Sequence, residues 1–498
     1  MSLTVKEIRD RAERFHAALA EEIFEARAGR KAWPQLTPLY ASQGVLEFST
    51  AMPVIQRELA SASGDEFRCL ERLLGWVAEH HVRSASAELD DEFEQWIATA
   101  TMSNKGSNVP VRTLPGLIST TEDRPTRRAL DALRSDAVAD ALPLQLDRLN
   151  RSGMASVELG YGEYRQALQR LTGLNLVAVL HEGRRLVAET NELYFDYLGR
   201  YLAKYLGLSV ADAEGHDADW LGRRVWSDGR LDEATVLEAV GGDLRDIGLP
   251  LEAEGRIELV LEAFPSPGMR PGCAAIRIPD RIRLFVTPTT SAPGCRTLLR
   301  EIGRALHWAY TSPRLPFELR LLGDESVVDA HATLFGGLGR SESWVHRVQG
   351  LEGDPLDEHI RLAAFLELFA VRRMVANLSF DMELSESERP GAMGPRWAEL
   401  MLEITGFRHD PRGFLADPGQ RFQAARRLRG RMLAAVLSKE LESRFDDDWY
   451  RNPGTGPFLR DWLAAGLTYD AHELATKLGA PDLVSDELAA SIRQRLES

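Results

Sequence analysis

The stretch that decides the fold is CRTLLREIGRALHWAYTSP, residues 295–313. Its apolar residues recur at spacings of three and four, which predicts an amphipathic helix over residues 296–311. The apolar stripe consists of Leu298, Ile302, Ala305 and Ala309. Arg300, Arg304 and His307 fall on the opposite face of the helical wheel. Taken alone, this arrangement is typical of a surface helix whose arginines reach solvent or pair with nearby acids.

The two arginines stand at a spacing that a zinc site uses. Side chains four residues apart on a helix converge on one ion, so this spacing suits two zinc-binding histidines. Arg300 and Arg304 cannot take that role, because a guanidinium offers no lone pair and repels a cation. The role of this helix therefore has to be inferred from the rest of the sequence.

Composition sets the class of protein. The chain has 498 residues, 44% of them hydrophobic, which is enough for a large core in two or three lobes. The net charge of −15 is spread along the chain rather than gathered in blocks. This distribution predicts that neither nucleic acid nor an anionic membrane is the main partner. The oligomeric state stays open.

Three features of the sequence predict a cytoplasmic location. The N-terminal stretch MSLTVKEIRDRAERFHAALAEE is charged throughout and lacks the apolar segment of a secretory signal. No uninterrupted apolar run approaches the roughly 20 residues that a membrane span needs. The cysteines are Cys69, Cys273 and Cys295, and none forms a C-x-x-C pair, which suggests a reducing compartment.

Most of the remaining sequence has helical periodicity, with two exceptions. Residues 104–128 are rich in Gly, Pro, Ser and Thr and are predicted to form an extended or loop segment. Residues 256–290 alternate and contain β-branched side chains, which predicts a small sheet with a Pro-Ser-Pro-Gly turn at 265–268. This sheet leads the chain directly into the helix at 296–311.

Several separated segments, in order, resemble the thimet oligopeptidase and oligoendopeptidase family of zinc metallopeptidases. The active-site helix of that family reads H-E-x-G-H-A-L-H, and REIGRALH at 300–307 differs only at the two metal-binding histidines. Residues 216–251 and 269–288 resemble the family's approach to the site. Residues 315–335 resemble the segment with the third zinc ligand, and residues 422–474 resemble its C-terminal helices.

The resemblance, which covers residues 180–490, implies a fold. We expect a mainly α, two-lobed, metallopeptidase-like ellipsoid with a deep central channel and a small β-sheet next to the active-site helix. The expected domains are an N-terminal helical lobe over 1–190 and a catalytic-type lobe over 191–498. Within the second lobe lie the sheet, the degenerate active-site helix and the C-terminal helices. A small molecule or a peptide is the expected ligand of the channel.

The resemblance also assigns candidate site residues. Glu301 matches the family's general base, and Asp329 stands where the third ligand is normally a glutamate. Both are predicted to be catalytic. The residues predicted to bind substrate are Arg300, Arg304, His307, His331, Arg427 and Arg431. No cofactor is predicted, because both histidine ligands are replaced and the third ligand is shortened.

Two interpretations of these residues stay open. Glu301 could act as a base, or it could form an ion pair with Arg304 or Arg427. The arginines could clamp a carboxylate or phosphate, or Asp329 and Glu301 could neutralise them. For His307 and His331, a role in the core or behind the site is the favoured interpretation. A relocated metal centre is the alternative.

Three functional hypotheses follow. The first is a zinc-independent protein whose cleft is re-made as an Arg-lined pocket for a non-proteolytic reaction on an anionic small molecule or peptide. The second is a catalytically inactive pseudopeptidase that binds a peptide or protein partner. The third is a zinc oligopeptidase with atypical ligands.

Overall fold

The computed structural model describes residues 3–42, 48–104, 106–223, 231–261, 271–288, 292–416 and 422–497. The helices are α1 Val5–Arg27, α2 Leu36–Ser42, α3 Phe48–Leu59, α4 Gly64–Thr99, α5 Leu114–Thr120, α6 Arg124–Glu158, α7 Tyr164–Thr172, α8 Leu176–Glu189, α9 Asn191–Leu206, α10 Gly215–Leu221, α11 Glu233–Asp246, α12 Ala292–Tyr310, α13 Phe317–Leu321, α14 Glu325–Gly336, α15 Glu342–Gln349, α16 Asp354–Leu384, α17 Gly394–Thr405, α18 Gln423–Phe445, α19 Thr455–Ala464, α20 Ala471–Lys477 and α21 Asp486–Glu497. The prediction of a mainly α fold is confirmed. Within the described ranges, no helix combines the length and the apolar character needed to cross a membrane.

Two small sheets accompany the helices. The strands are β1 Thr101–Asn104, β2 Ser107–Pro110, β3 Ile257–Val260, β4 Gly272–Arg277 and β5 Arg281–Phe285. In the three-stranded sheet β5 is central, parallel to β3 and antiparallel to β4. Strand β4 is therefore an edge strand, and it contacts α12. The turn predicted at 265–268 lies outside the described residues.

The hairpin of β1 and β2 begins before, and extends into, the segment predicted to be extended or looped. Met102 lies opposite Val109, and both pack beside a buried cluster of α5 and α6. Gly106 has φ +86°, a conformation that glycine adopts without steric cost and that tight hairpin turns use. The two apolar residues on one face stabilise these short strands in a polar segment.

Two large hydrophobic cores meet at α18. Leu428 and Met432 belong to the core built from α8, α9, α16, α17 and α21. Leu433 and Leu437 of the same helix belong to the core that contains the three-stranded sheet, α11, α12 and α19. Helix α18 also packs against α14.

Candidate functional site

Helix α12 forms as its apolar periodicity predicts, and it is buried on more than one side. Leu298, Ile302, Ala305 and Ala309 are completely buried. His307, on the opposite side of the wheel, is also completely buried. Arg300 and Arg304 stay partly exposed, with 21% and 29% of their side chains accessible. The site lies where the arginine face of α12 meets α14 and α18.

Three glycines allow these helices to approach closely. A Cβ on Gly303 would lie 2.5 Å from the His331 carbonyl oxygen of α14. A Cβ on Gly336 would lie 2.5 Å from Cγ of Arg300, and one on Gly430 would lie 2.8 Å from Cβ of Asp329. Any larger residue at these positions would push the helices apart, since backbone and helix-borne atoms cannot easily yield.

Asp329 of α14 faces both arginines of α12. The Arg304 Nη2 donates to Asp329 Oδ1 at 2.7 Å, and Arg300 Nη2 lies 3.8 Å from the same oxygen. Arg300 Nη1 also donates to Thr333 Oγ1 at 2.9 Å. Burial, the Arg431 charge and the Arg304 charge together lower the pKa of Arg300 to about 9, against the opposing effect of Asp329. Arg300 nevertheless remains largely protonated at neutral pH.

Glu301 lies between Arg304 and the edge strand of the sheet. The backbone N–H of Cys273 on β4 donates to Glu301 Oε2 at 2.9 Å. Arg304 Nε lies 3.9 Å from that same oxygen. Burial alone would lower the pKa of Arg304, but the Glu301 and Asp329 carboxylates raise it above its ordinary value. The sequence-predicted acids and α12 arginines are thus brought together as a four-residue cluster, which we call the Arg–carboxylate cluster.

Arg431 and Arg427 of α18 have different surroundings. Arg431 Nε donates to Glu367 Oε1 at 2.8 Å, and Arg340 Nη1 donates to Glu367 Oε2 at 2.9 Å. Arg427 is exposed, and its Nη2 donates to Gln423 Oε1 of the same helix at 3.3 Å. Burial by itself would raise the pKa of Glu367. The positive charges of Arg340 and Arg431 outweigh this effect and hold the pKa well below its usual range.

Glu367 and Arg340 were missed by the sequence analysis. Glu367 is 5% exposed and stands in the apolar run RLAAFLELFAV, residues 361–371. An ionisable residue within an otherwise apolar helical stretch indicates a buried ion pair, because such residues are almost never buried without a partner. The sequence could not identify the partners, since Arg340 and Arg431 come from distant parts of the chain.

His307 and His331 form a buried pair. Their Nδ1 atoms are 3.2 Å apart, and His331 Nδ1 lies 3.0 Å from the Val327 carbonyl oxygen. Because a carbonyl only accepts, His331 Nδ1 carries the proton in that contact and His307 Nδ1 is the acceptor. Burial lowers the pKa of His331 to about 4 and that of His307 well below its usual range, so both rings are neutral at pH 7.

The residues at the expected metal position do not fit a zinc ion. Two of the three positions are guanidinium groups, and Arg304 occupies Oδ1 of the third, Asp329, with a hydrogen bond. Across the part of the chain that the structure describes, no group of three or more His, Cys, Asp or Glu side chains is arranged to hold a metal ion.

A cavity of about 650 Å³, which we call the channel, lies beside the cluster. Residues of α1, α4, α7 and β4 line it, and α14 and α18 contribute Glu325 and Arg426. None of the eight predicted site residues is among its lining residues, but Cys273 and Glu325 are. The Cys273 backbone N–H donates a hydrogen bond to Glu301, and Glu325 lies one helical turn before Asp329. The cluster therefore lies directly behind the channel wall.

Comparisons with known proteins support the fold. The sequence matches no protein-family model and no curated protein. A crystal structure of a candidate oligoendopeptidase F from Bacillus anthracis superposes with a TM-score of 0.64 at 12% identity, over 93% of this chain and 83% of that one. The crystal structure of BsuCP superposes with a TM-score of 0.60 at 12% identity, over 99% and 98%. At this identity the likeness establishes an oligoendopeptidase-like fold.

Proposed function

We propose that this protein is a zinc-independent member of the metallopeptidase fold that binds a peptide in its channel without hydrolysing it. The observation that carries the proposal is the 2.7 Å bond between Arg304 and Asp329. This ion pair joins two residues that the resemblance matches to zinc ligands, which supports the proposal. Because guanidinium groups cannot ligate a Lewis acid that would polarise a carbonyl or activate water, peptide hydrolysis would lose its main source of catalysis.

The chemistry of the channel supports a peptide ligand. Trp76, Trp308 and Tyr164 offer aromatic surface, which suits apolar side chains. Arg426 Nη1 donates to Glu325 Oε2 at 2.6 Å, so this wall carries polar groups of both signs. A peptide presents apolar side chains together with polar backbone groups, and this mixed lining matches both.

The backbone groups at the edge of the sheet are already engaged, which favours peptide binding through side chains rather than by addition of a strand to β4. The outward N–H of Cys273 donates to Glu301, and His16 Nε2 of α1 lies 2.9 Å from the outward carbonyl oxygen of Ala275. A peptide that added a strand to β4 would need these same backbone groups. The protein's own side chains occupy them.

A second candidate is the non-proteolytic reaction on an anionic ligand. The observation that favours it is that the guanidinium groups of Arg300 and Arg304 face the same carboxylate oxygen of Asp329 and stay partly exposed. In that case Glu301 or Asp329 would transfer a proton, and the anionic group of the ligand would bind the accessible parts of the Arg300 and Arg304 guanidinium groups.

Glu301→Gln tests whether peptide binding depends on the carboxylate of the Arg–carboxylate cluster. We expect the variant to bind a fluorescein-labelled eight-residue peptide, containing one phenylalanine and one leucine, within about twofold of the unmodified protein, because the channel wall is unchanged. Arg426→Gln should weaken binding about fivefold, since it removes a charged group from that wall. Fluorescence anisotropy measures both, and Lys439→Gln on the same helix is the matched control.

Mass spectrometry of the incubated peptide completes the experiment. We expect the peptide to remain intact with every variant. Cleavage by the unmodified protein that disappears in Glu301→Gln would refute the proposed function. Equal peptide affinity in Arg426→Gln and Lys439→Gln would place the ligand outside the channel and would also count against it.

A further inference from the structure

A second cavity, of about 260 Å³, lies near the other end of α14 and shares no lining residue with the channel. It is enclosed by the end of α14, the start of α15, and helices α16, α18 and α21. We call it the C-terminal cavity. Pockets for drug-sized ligands span roughly 300–1,000 Å³, so this volume suits a ligand of amino-acid size.

The floor of the C-terminal cavity is positively charged. Arg340 and Arg431 line it and share one buried carboxylate, Glu367, through bonds of 2.9 and 2.8 Å. Thr333 also lines the floor and accepts a hydrogen bond from Arg300. Two guanidinium groups against one carboxylate leave a surplus of one positive charge at this end.

The rim of the cavity has the opposite sign. Glu342, Glu442 and Asp447 line it and are exposed. Ser438 Oγ donates to Glu442 Oε1 at 2.9 Å, which holds this carboxylate in place. Arg495 Nη2 lies 3.9 Å from Glu442 Oε1. Three carboxylates against one guanidinium leave the rim negative.

We propose that the C-terminal cavity binds a small zwitterion with one carboxylate and one ammonium group, such as an amino acid. The carboxylate lies against Arg340 and Arg431, whose planar donors match its geometry. The ammonium group lies at the rim beside Glu442. A simple anion would meet the repulsion of the rim, and a simple cation would meet that of the floor, so the polarity of the cavity favours a molecule that carries both charges.

Calorimetric titration of the full chain tests this assignment. The probes are L-alanine, propionate, ethylammonium and inorganic phosphate. We expect L-alanine to bind in about the millimolar range, and at least about tenfold more tightly than any other probe, because it alone satisfies both ends. Tighter binding of propionate or phosphate would overturn the assignment, as would the failure of every probe to bind at about 20 mM.

Two variants connect the binding to the cavity. Glu442→Gln should weaken L-alanine binding about fivefold and leave propionate unchanged or bound more tightly, which a structural role would not produce. Glu440→Gln, two residues away on α18 and paired with Arg444 outside the cavity, is the matched control. Arg431→Lys should weaken L-alanine and propionate alike, since lysine keeps the charge but loses the paired donors. Equal behaviour of Glu442→Gln and Glu440→Gln would overturn the proposal even if Arg431→Lys did not fold.

Discussion

Replacing Glu367 by glutamine is expected to lower the free energy of unfolding by about 3–5 kcal/mol. Glu367 is 5% exposed and accepts hydrogen bonds from both Arg340 and Arg431. The neutral amide would leave these two guanidinium groups close together with no carboxylate between them. Urea unfolding followed by circular dichroism gives the free energy.

The matched control is Glu358→Gln, on the same helix α16. Glu358 pairs with Lys204 at the surface, where a lost ion pair costs at most about 1 kcal/mol.

The pH dependence gives a further check. Because the folded-state pKa of Glu367 is depressed, its stabilisation is present above the ordinary glutamate pKa of about 4.3 and is lost as the pH falls below it. The difference in the free energy of unfolding between the two variants should therefore become smaller below about pH 4. Equal stability of the two variants at pH 7 would contradict the buried triad.

Replacing both Arg300 and Arg304 by histidine is expected to raise the affinity for zinc by about two orders of magnitude, or about 3 kcal/mol. The two positions are one helical turn apart and both face Asp329 of α14. Two imidazoles and one carboxylate would then converge, which is a zinc-binding set. Competition with a zinc-chelating dye measures the affinity.

Two further variants show whether the zinc lies at this position. Adding Asp329→Asn to the histidine pair should remove most of the gain, because the third ligand is lost. Glu440→His with Arg444→His places the same spacing on the exposed side of α18 and should give a much smaller gain. Unchanged affinity in the Arg300 and Arg304 double variant, or a gain that survives Asp329→Asn, would mean that the cluster does not occupy a metal position.

Much of the fold could be predicted from the sequence. The periodicity of 295–313 gave helix α12, and the alternation at 256–290 indicated the sheet that precedes it. Extended backbone was predicted for part of the hairpin, but the pairing of β1 with β2 was not, because Met102 and Val109 are isolated apolar residues in a polar segment. Their strand conformation depends on the buried cluster of α5 and α6, which the local pattern does not show.

The candidate site was only partly predictable. The spacing of Arg300 and Arg304 puts them on one face of a helix, but their contact with Asp329 depends on how α14 packs against α12. The resemblance to a peptidase family suggested that contact, and the close approach at Gly303 allows it. The binding of Glu301 to the Cys273 amide could not be predicted, because it depends on which backbone group of β4 faces the helix.

The zinc content of the full chain, purified without chelator and measured by inductively coupled plasma mass spectrometry, tests the central claim most directly. That claim is that the Arg–carboxylate cluster takes the place of a metal ion. The expected result is less than about one-tenth of a zinc ion per chain, because guanidinium groups cannot ligate the ion and Arg304 occupies Asp329. Near-stoichiometric zinc that is lost in the Asp329→Asn variant would contradict the claim.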